Sequence, residues 1–231
     1  MKEPQLQPNH FLGLIKFFRS EEYLNQLIAG KMHCQTPETY RLHKDEGVSD
    51  KVESCLHSWR KARGDAEVYV EIDGIQIDPK DLVGFTLHRS DSIESWLHCW
   101  FSLRLPADND AMEQLKADLR KMKEYFGRDY VFILNKDVLP FISLLKEASN
   151  ENLWCGEVSY SDNSMEWNER CKSTAYSYQH EYRFGFGQCD TNEIEPYVFF
   201  YPQGFSHLMH KNLDFKLAGD DGTIFFDLRA I

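Results

Sequence analysis

A chain of 231 residues that is 42% apolar holds enough side chains for one sizeable core, and 16 Phe with 11 Tyr favour a core built on a sheet. Against 37 Asp and Glu stand only 26 Lys and Arg, a formal charge of −11, which argues against a protein that grips nucleic-acid phosphates through counterion release. Apolar runs such as Phe11 to Ile15 and Tyr130 to Leu134 are far too short to cross a bilayer. The six cysteines form no Cys-x-x-Cys, and Met1-Lys2-Glu3-Pro4 lacks a secretory apolar core, so a soluble cytoplasmic protein with reduced thiols is expected.

Phe11 to Phe18 reads as a first strand. Ser20 before Glu21 and Glu22 reads as a helix start, with Tyr23, Leu24, Leu27 and Ile28 as the apolar stripe and Gly30 as the stop. A second strand follows at Lys31 to Cys34. From Thr36 to Arg63 the sequence is polar and aperiodic, which predicts a long surface connection with one helical turn. Val68, Val70 and Ile72 alternate up to Asp73-Gly74, and Ile75 and Ile77 alternate beyond it, the pattern of a hairpin. Further strands are expected over Leu82 to His88 and Trp96 to Leu103.

Met112, Leu115, Leu119, Met122 and Phe126 fall at helical spacing between an Asp108/Asn109/Asp110 start and a Gly127 stop. A strand at Tyr130 to Leu134, a helix at Asp137 to Ala148 and strands at Leu153 to Tyr160, His180 to Gly187, Tyr197 to Tyr201 and Thr223 to Leu228 complete the chain. No repeat or linker divides it. The expectation is a single α+β domain over residues 1–231, with a largely antiparallel or split sheet and flanking helices.

Residue types become specific between Lys172 and Phe184. Read as an extended strand, this segment puts Gln179, Glu181 and Arg183 on one side and His180, Tyr182, Phe184 and Phe186 on the other. The aromatic side would face a core, and an amide, a carboxylate and a guanidinium would face a cleft or solvent. The ordinary reading of that pattern is a half-buried strand with a polar face.

The spacing Gln-x-Glu at the start of an aromatic strand also resembles the catalytic signature of ADP-ribosyltransferases. That resemblance implies Glu181 as the carboxylate that grips the nicotinamide ribose and Gln179 as the residue that orients the acceptor. NAD is then the substrate, and its ADP-ribose passes to a macromolecule, protein or nucleic acid. Breaking the N-glycosidic bond develops an oxocarbenium-like ribose that a nearby carboxylate stabilises, and neutral nicotinamide leaves without a metal.

A broader resemblance is carried by Phe17-Phe18, Tyr23, Leu27-Ile28, Gly30, Thr36-Pro37, Tyr40-Arg41, Ser49-Asp50, Glu53, Lys172, Tyr176 and Gln179-x-Glu181-Tyr182-Arg183. It is to a bacterial and phage family of uncharacterised domains, which often has Glu where this chain has Gln179; it implies a shared fold but no activity. The opening strand, helix and strand also resemble the start of DNA-modifying ADP-ribosyltransferase toxins, where a basic or His residue on an early strand contacts NAD. Lys16, Arg19 and Arg41 are the candidates here, Arg41 foremost because a guanidinium pairs bidentately with a pyrophosphate. Tyr40 and Arg183 complete the expected NAD-binding set, and Asp50 and Glu53 read as a charge network around Arg41 or a helix cap. A toxin or phage-conflict role follows from the resemblance.

The competing expectation is a non-catalytic acidic inhibitor that presents its negative surface to a basic partner. His33-Cys34, Cys55-x-His57 and His98-Cys99 lack paired ligand spacing, so no metal site is assigned. No phosphate-cradling Gly-x-x-x-x-Gly-Lys, dinucleotide-binding Gly-x-Gly-x-x-Gly or Gly-x-Ser-x-Gly motif occurs. Cys99 beside His98 is poor geometry for a nucleophile and its base.

Overall fold

The apolar run Phe11–Phe18 forms strand β1, which turns Leu14 to one face of a sheet and Ile15 and Phe17 to the other, all three buried. The computed structural model describes residues 7–90, 92–219 and 222–231, so the N-terminal Met1-Lys2-Glu3-Pro4 reading lies outside the described residues. After β1 come α1 (Glu21–Ile28), β2 (Lys31–Cys34), α2 (Pro37–Leu42), β3 (His57–Arg60), β4 (Val70–Ile72), β5 (Ile75–Ile77), β6 (Gly84–Leu87) and β7 (Glu94–Arg104). Then follow α3 (Asn109–Phe126), β8 (Asp129–Leu134), α4 (Asn135–Ala148), β9 (Leu153–Glu157), β10 (Ser159–Ser161), β11 (Cys171–Ser173) and β12 (Glu181–Cys189). The chain closes with β13 (Tyr197–Phe200), β14 (His210–Lys211), β15 (Lys216–Ala218) and β16 (Ile224–Asp227).

Six strands make the central sheet in the order β14-β8-β1-β7-β12-β9, every neighbouring pair antiparallel. Because side chains alternate, each face carries its own core. On one face Leu14, Trp100, Ile133 and Phe184 pack beneath α1 and α4, through Leu24, Leu27, Phe141 and Leu145. On the other, Ile15, Phe17, Phe101 and Phe132 pack beneath α3, through Leu115, Leu119 and Met122, and beneath Phe226 of β16. The α3 stripe and its cap match the periodicity, with the Asp108 carboxylate accepting from the Ala111 N–H at 2.8 Å. The architecture is mixed α+β with an antiparallel sheet. No helix of the described residues is long and apolar enough to cross a membrane.

The sheet opens in its middle. β1 pairs with β7 only from Phe11 to Ile15, while β8 stays paired with β1 as far as Phe18. Beyond Ile15 the two strands part, and the first half of β7 bridges to Gln35 at the end of β2 instead, through Leu97. Lys16 stands where they part and its Nζ donates to the Cys99 carbonyl oxygen at 2.8 Å.

Two expectations need correction. The segment from Thr36 to Arg63 is not a surface connection: it contains α2 and β3, and Thr36, Glu38, Arg41, Asp50, Glu53 and Cys55 are buried. Its polar side chains are tied to partners far away in the chain, which composition does not reveal. Nor does Lys172 to Phe184 run as one strand. Residues Thr174–Gln179 coil into a 3₁₀ turn, His180 takes a left-handed φ of 40°, and β12 begins only at Glu181. The six-residue 3₁₀ turn and the left-handed His180 re-aim the chain, so Gln179 reaches the Glu181 side by a turn and not by strand alternation.

Candidate functional site

Glu181 and Arg183 leave β12 on the α3 side of the sheet and face the buried loop between α2 and β3. A hub of charge results. The Lys172 ammonium lies 3.1 Å from the Glu181 carboxylate, 3.2 Å from Glu53 and 3.5 Å from Asp50, and donates to the Gln179 amide oxygen at 3.1 Å. Arg183 donates from Nε to Glu181 at 2.5 Å, from Nη2 to Glu53 at 2.8 Å and from Nη1 to the Glu169 carbonyl at 2.8 Å. All five of these ionised side chains are buried.

Burial works to raise the Glu181 and Glu53 pKa values, but Arg183 and Lys172 outweigh it, so both carboxyls are held below the ordinary range. Lys172 is the mirror case: burial works to lower it, and Glu181, Glu53 and Asp50 raise it well above a normal lysine. Asp50 is raised, chiefly by burial. Glu181 is therefore a permanent anion at neutral pH, poorly suited to carry protons.

This hub forms one wall of a cavity of about 240 Å³. Ile15, Phe17, Phe101, Met122 and Phe126 supply an apolar wall; Glu181, Glu53, Lys172, Gln179 and Tyr40 supply the polar end. Burial pushes the Cys99 thiol, beside the Glu181 carboxylate, up to about 12, so it is no nucleophile at neutral pH. A second cavity of about 480 Å³ lies on the opposite face, under α1 and β2. Lys16 and Tyr40 line both, so the two lobes lie on either side of the place where β1 and β7 part.

Of the expected site residues, Glu181, Gln179, Lys16 and Tyr40 converge on this opening. Gln179 is already engaged, accepting from Lys172 and donating from Nε2 to the Gly47 carbonyl at 3.0 Å, so it pins the α2–β3 loop. Arg41 does not line either lobe. Its N–H groups go to Glu38 at 2.7 Å, to the Glu53 carbonyl at 2.7 Å, to both Glu94 oxygens at 2.5 and 3.0 Å and to the Thr191 carbonyl at 2.8 Å. No donor remains for a pyrophosphate, and Arg183 is as fully engaged. Asp50 and the Glu53 carboxylate serve Lys172 and Arg183, and only the Glu53 carbonyl touches Arg41.

Lys172 has no site role in the sequence reading, and the segment itself holds no signal for one: between Lys172 and Phe184 it has a single acid, Glu181, beside one Lys and one Arg. The sequence reading also set aside His98 and Cys99, which strand alternation sends to opposite lobes. Among the described residues no group of three or more His, Cys, Asp or Glu is placed to hold a metal. Fold and site together define a mixed α+β protein with a cavity on each side of its central sheet where β1 and β7 part. In comparison with known proteins, the chain matches no family model, no curated protein and no solved structure.

Proposed function

We propose that the chain is an NAD-consuming ADP-ribosyltransferase-like enzyme whose substrate lies in the opening between β1 and β7. One observation carries the reading: a carboxylate held in its ionised form, Glu181, stands at the polar end of a cavity whose other wall is apolar. An anion that does not take up a proton is matched to a reaction in which positive charge develops, as on the ribose when nicotinamide departs. Lys172 and Arg183 hold that carboxylate in place, which costs no reorganisation when the charge appears. The small apolar lobe suits a flat neutral ring, and Lys16 with Tyr40 stand between it and the larger lobe. The acceptor is a macromolecule.

A second reading, a binding protein without chemistry, is favoured by the fact that Glu181 already meets two cations at 2.5 and 3.1 Å. Its acidic-inhibitor form keeps its charge: the six buried acids Glu38, Asp50, Glu53, Glu94, Asp118 and Glu181 are accompanied by four buried cations, Arg41, Lys123, Lys172 and Arg183, so a formal −9 of the −11 stays outside the buried set. Incubating the protein with labelled NAD and cell lysate decides between them. Label on protein or nucleic acid that Glu181→Gln abolishes supports transfer. Absence of NAD binding by calorimetry together with absence of turnover leaves the binding protein.

A further inference from the structure

The 480 Å³ lobe is unusual for so acidic a chain. Lys16, Lys31, His33, His98, Gln26 and Gln35 line it, along with Tyr23, Tyr40 and a few apolar side chains, and no carboxylate does. Its size is within the range of small-molecule sites. His98 is 4% exposed, and the Trp100 indole N–H donates to its Nδ1 at 2.8 Å. With Nδ1 as acceptor, the ring proton sits on Nε2, which meets no protein acceptor among the described residues while the side chain lines the lobe. That N–H opens on the lobe, where solvent or a ligand is its partner. Lys16 adds further N–H groups: the Cys99 carbonyl is its only hydrogen-bond partner among the described residues, and burial lowers its pKa from the ordinary lysine value.

From this lining we infer that the lobe under α1 and β2 binds a phosphate-bearing small molecule, with the Lys16 ammonium and the His98 Nε2–H as its donors. The inference stands on the lobe itself and not on the transfer reaction. Burial, helped by Lys16 and His33, keeps His98 neutral, so the ring offers one fixed N–H and does not depend on protonation. Lys31 at the rim, held by the Gln26 amide oxygen at 3.2 Å, adds a screened positive charge that draws anions in. Recognition of phosphate thus passes from the guanidiniums of Arg41 and Arg183, which are fully engaged, to an amine and an imidazole.

The test uses inorganic pyrophosphate and ADP as probes, with calorimetry at low salt and the ring signals of His98 followed by NMR. Both probes are expected to bind competitively and to move the His98 Nε2 resonance. In His98→Asn the amide oxygen still accepts from Trp100 but no donor replaces Nε2–H. Affinity should fall about 10- to 100-fold, the weight of one hydrogen bond to a charged group. Should that variant not fold, the ring signals of the wild type still decide, and Lys31→Ala should weaken pyrophosphate in a salt-dependent way. Failure of both probes to bind at millimolar concentration overturns the inference, as does binding that leaves the His98 signals unmoved or is unaltered in a folded His98→Asn. Pyrophosphate binding without NAD consumption retains this site and rejects transfer. NAD turnover that neither pyrophosphate nor His98→Asn affects does the reverse.

Discussion

Lys172→Met removes the one ammonium that lies within 3.5 Å of three carboxylates and replaces it with an unbranched side chain of similar reach. Arg183 would then face Asp50, Glu53 and Glu181 alone. The easiest relief is for one carboxyl to stay protonated. For a glutamate of ordinary pKa 4.5 that costs ~3.4 kcal/mol at pH 7 and ~1.4 kcal/mol at pH 5.5. The pH 7 figure agrees with the ~3–5 kcal/mol seen when one partner of a buried pair is removed.

In the wild type, Glu53 and Glu181 are depressed below their unfolded values, so their contribution is fully present above about pH 4.5 and is lost as the pH falls through the folded pKa values. Between pH 7 and 5.5 these two groups leave the wild type unchanged while the variant recovers. Urea unfolding followed by circular dichroism should therefore show a destabilisation of ~3–5 kcal/mol at pH 7 that shrinks by ~2 kcal/mol at pH 5.5. A loss below ~1 kcal/mol at pH 7, or one that is the same at both pH values, would refute the buried-hub account.

Glu181→Gln leaves two carboxylates facing two cations, so the fold should hold within ~1–2 kcal/mol while NAD turnover drops about 100- to 1000-fold; turnover that survives removes Glu181 from catalysis. Arg41→Met strands Glu94, whose pKa burial already raises to about 7, and should cost ~3–5 kcal/mol in denaturant without changing NAD affinity in the folded fraction; an affinity loss would return Arg41 to the binding site. Gly185→Ala puts a methyl group 2.1 Å from the Trp154 ring on the neighbouring β9, so a thermal shift equivalent to ~1–3 kcal/mol is expected, and a neutral result would mean that the ring moves freely. His98, held below its ordinary pKa by burial, resists the proton that the unfolded chain accepts below about pH 6.5. Stability at pH 5.5 relative to pH 7.5 should thus fall less in His98→Asn than in the wild type, measured by paired melts.

Local order was legible in the residues themselves. β1, β2, α3 and the hairpin at Asp73-Gly74 follow from apolar spacing and turn chemistry, with both turn residues at positive φ, 52° and 80°. These features depend on neighbours within a few positions, so one sequence contains them. Glu181 was also recognisable, because a strand start places it, and so was the aromatic side of β12. The hub was not. Asp50 and Glu53 read as a charge network around Arg41 or a helix cap, whereas their cations are Lys172 and Arg183, more than 100 residues away, and that pairing lets a polar segment be buried. Arg41 looked free for the same reason, its partner Glu94 being 53 positions distant. The two cavities are a property of the sheet: β1 and β7 separate after Ile15, and alternation along β7 then gives Cys99 to one lobe and His98 to the other. Residue order set which side chains were present, while long-range strand pairing decided which of them were satisfied and which still face a cavity, since burial and partner are fixed only when distant segments meet.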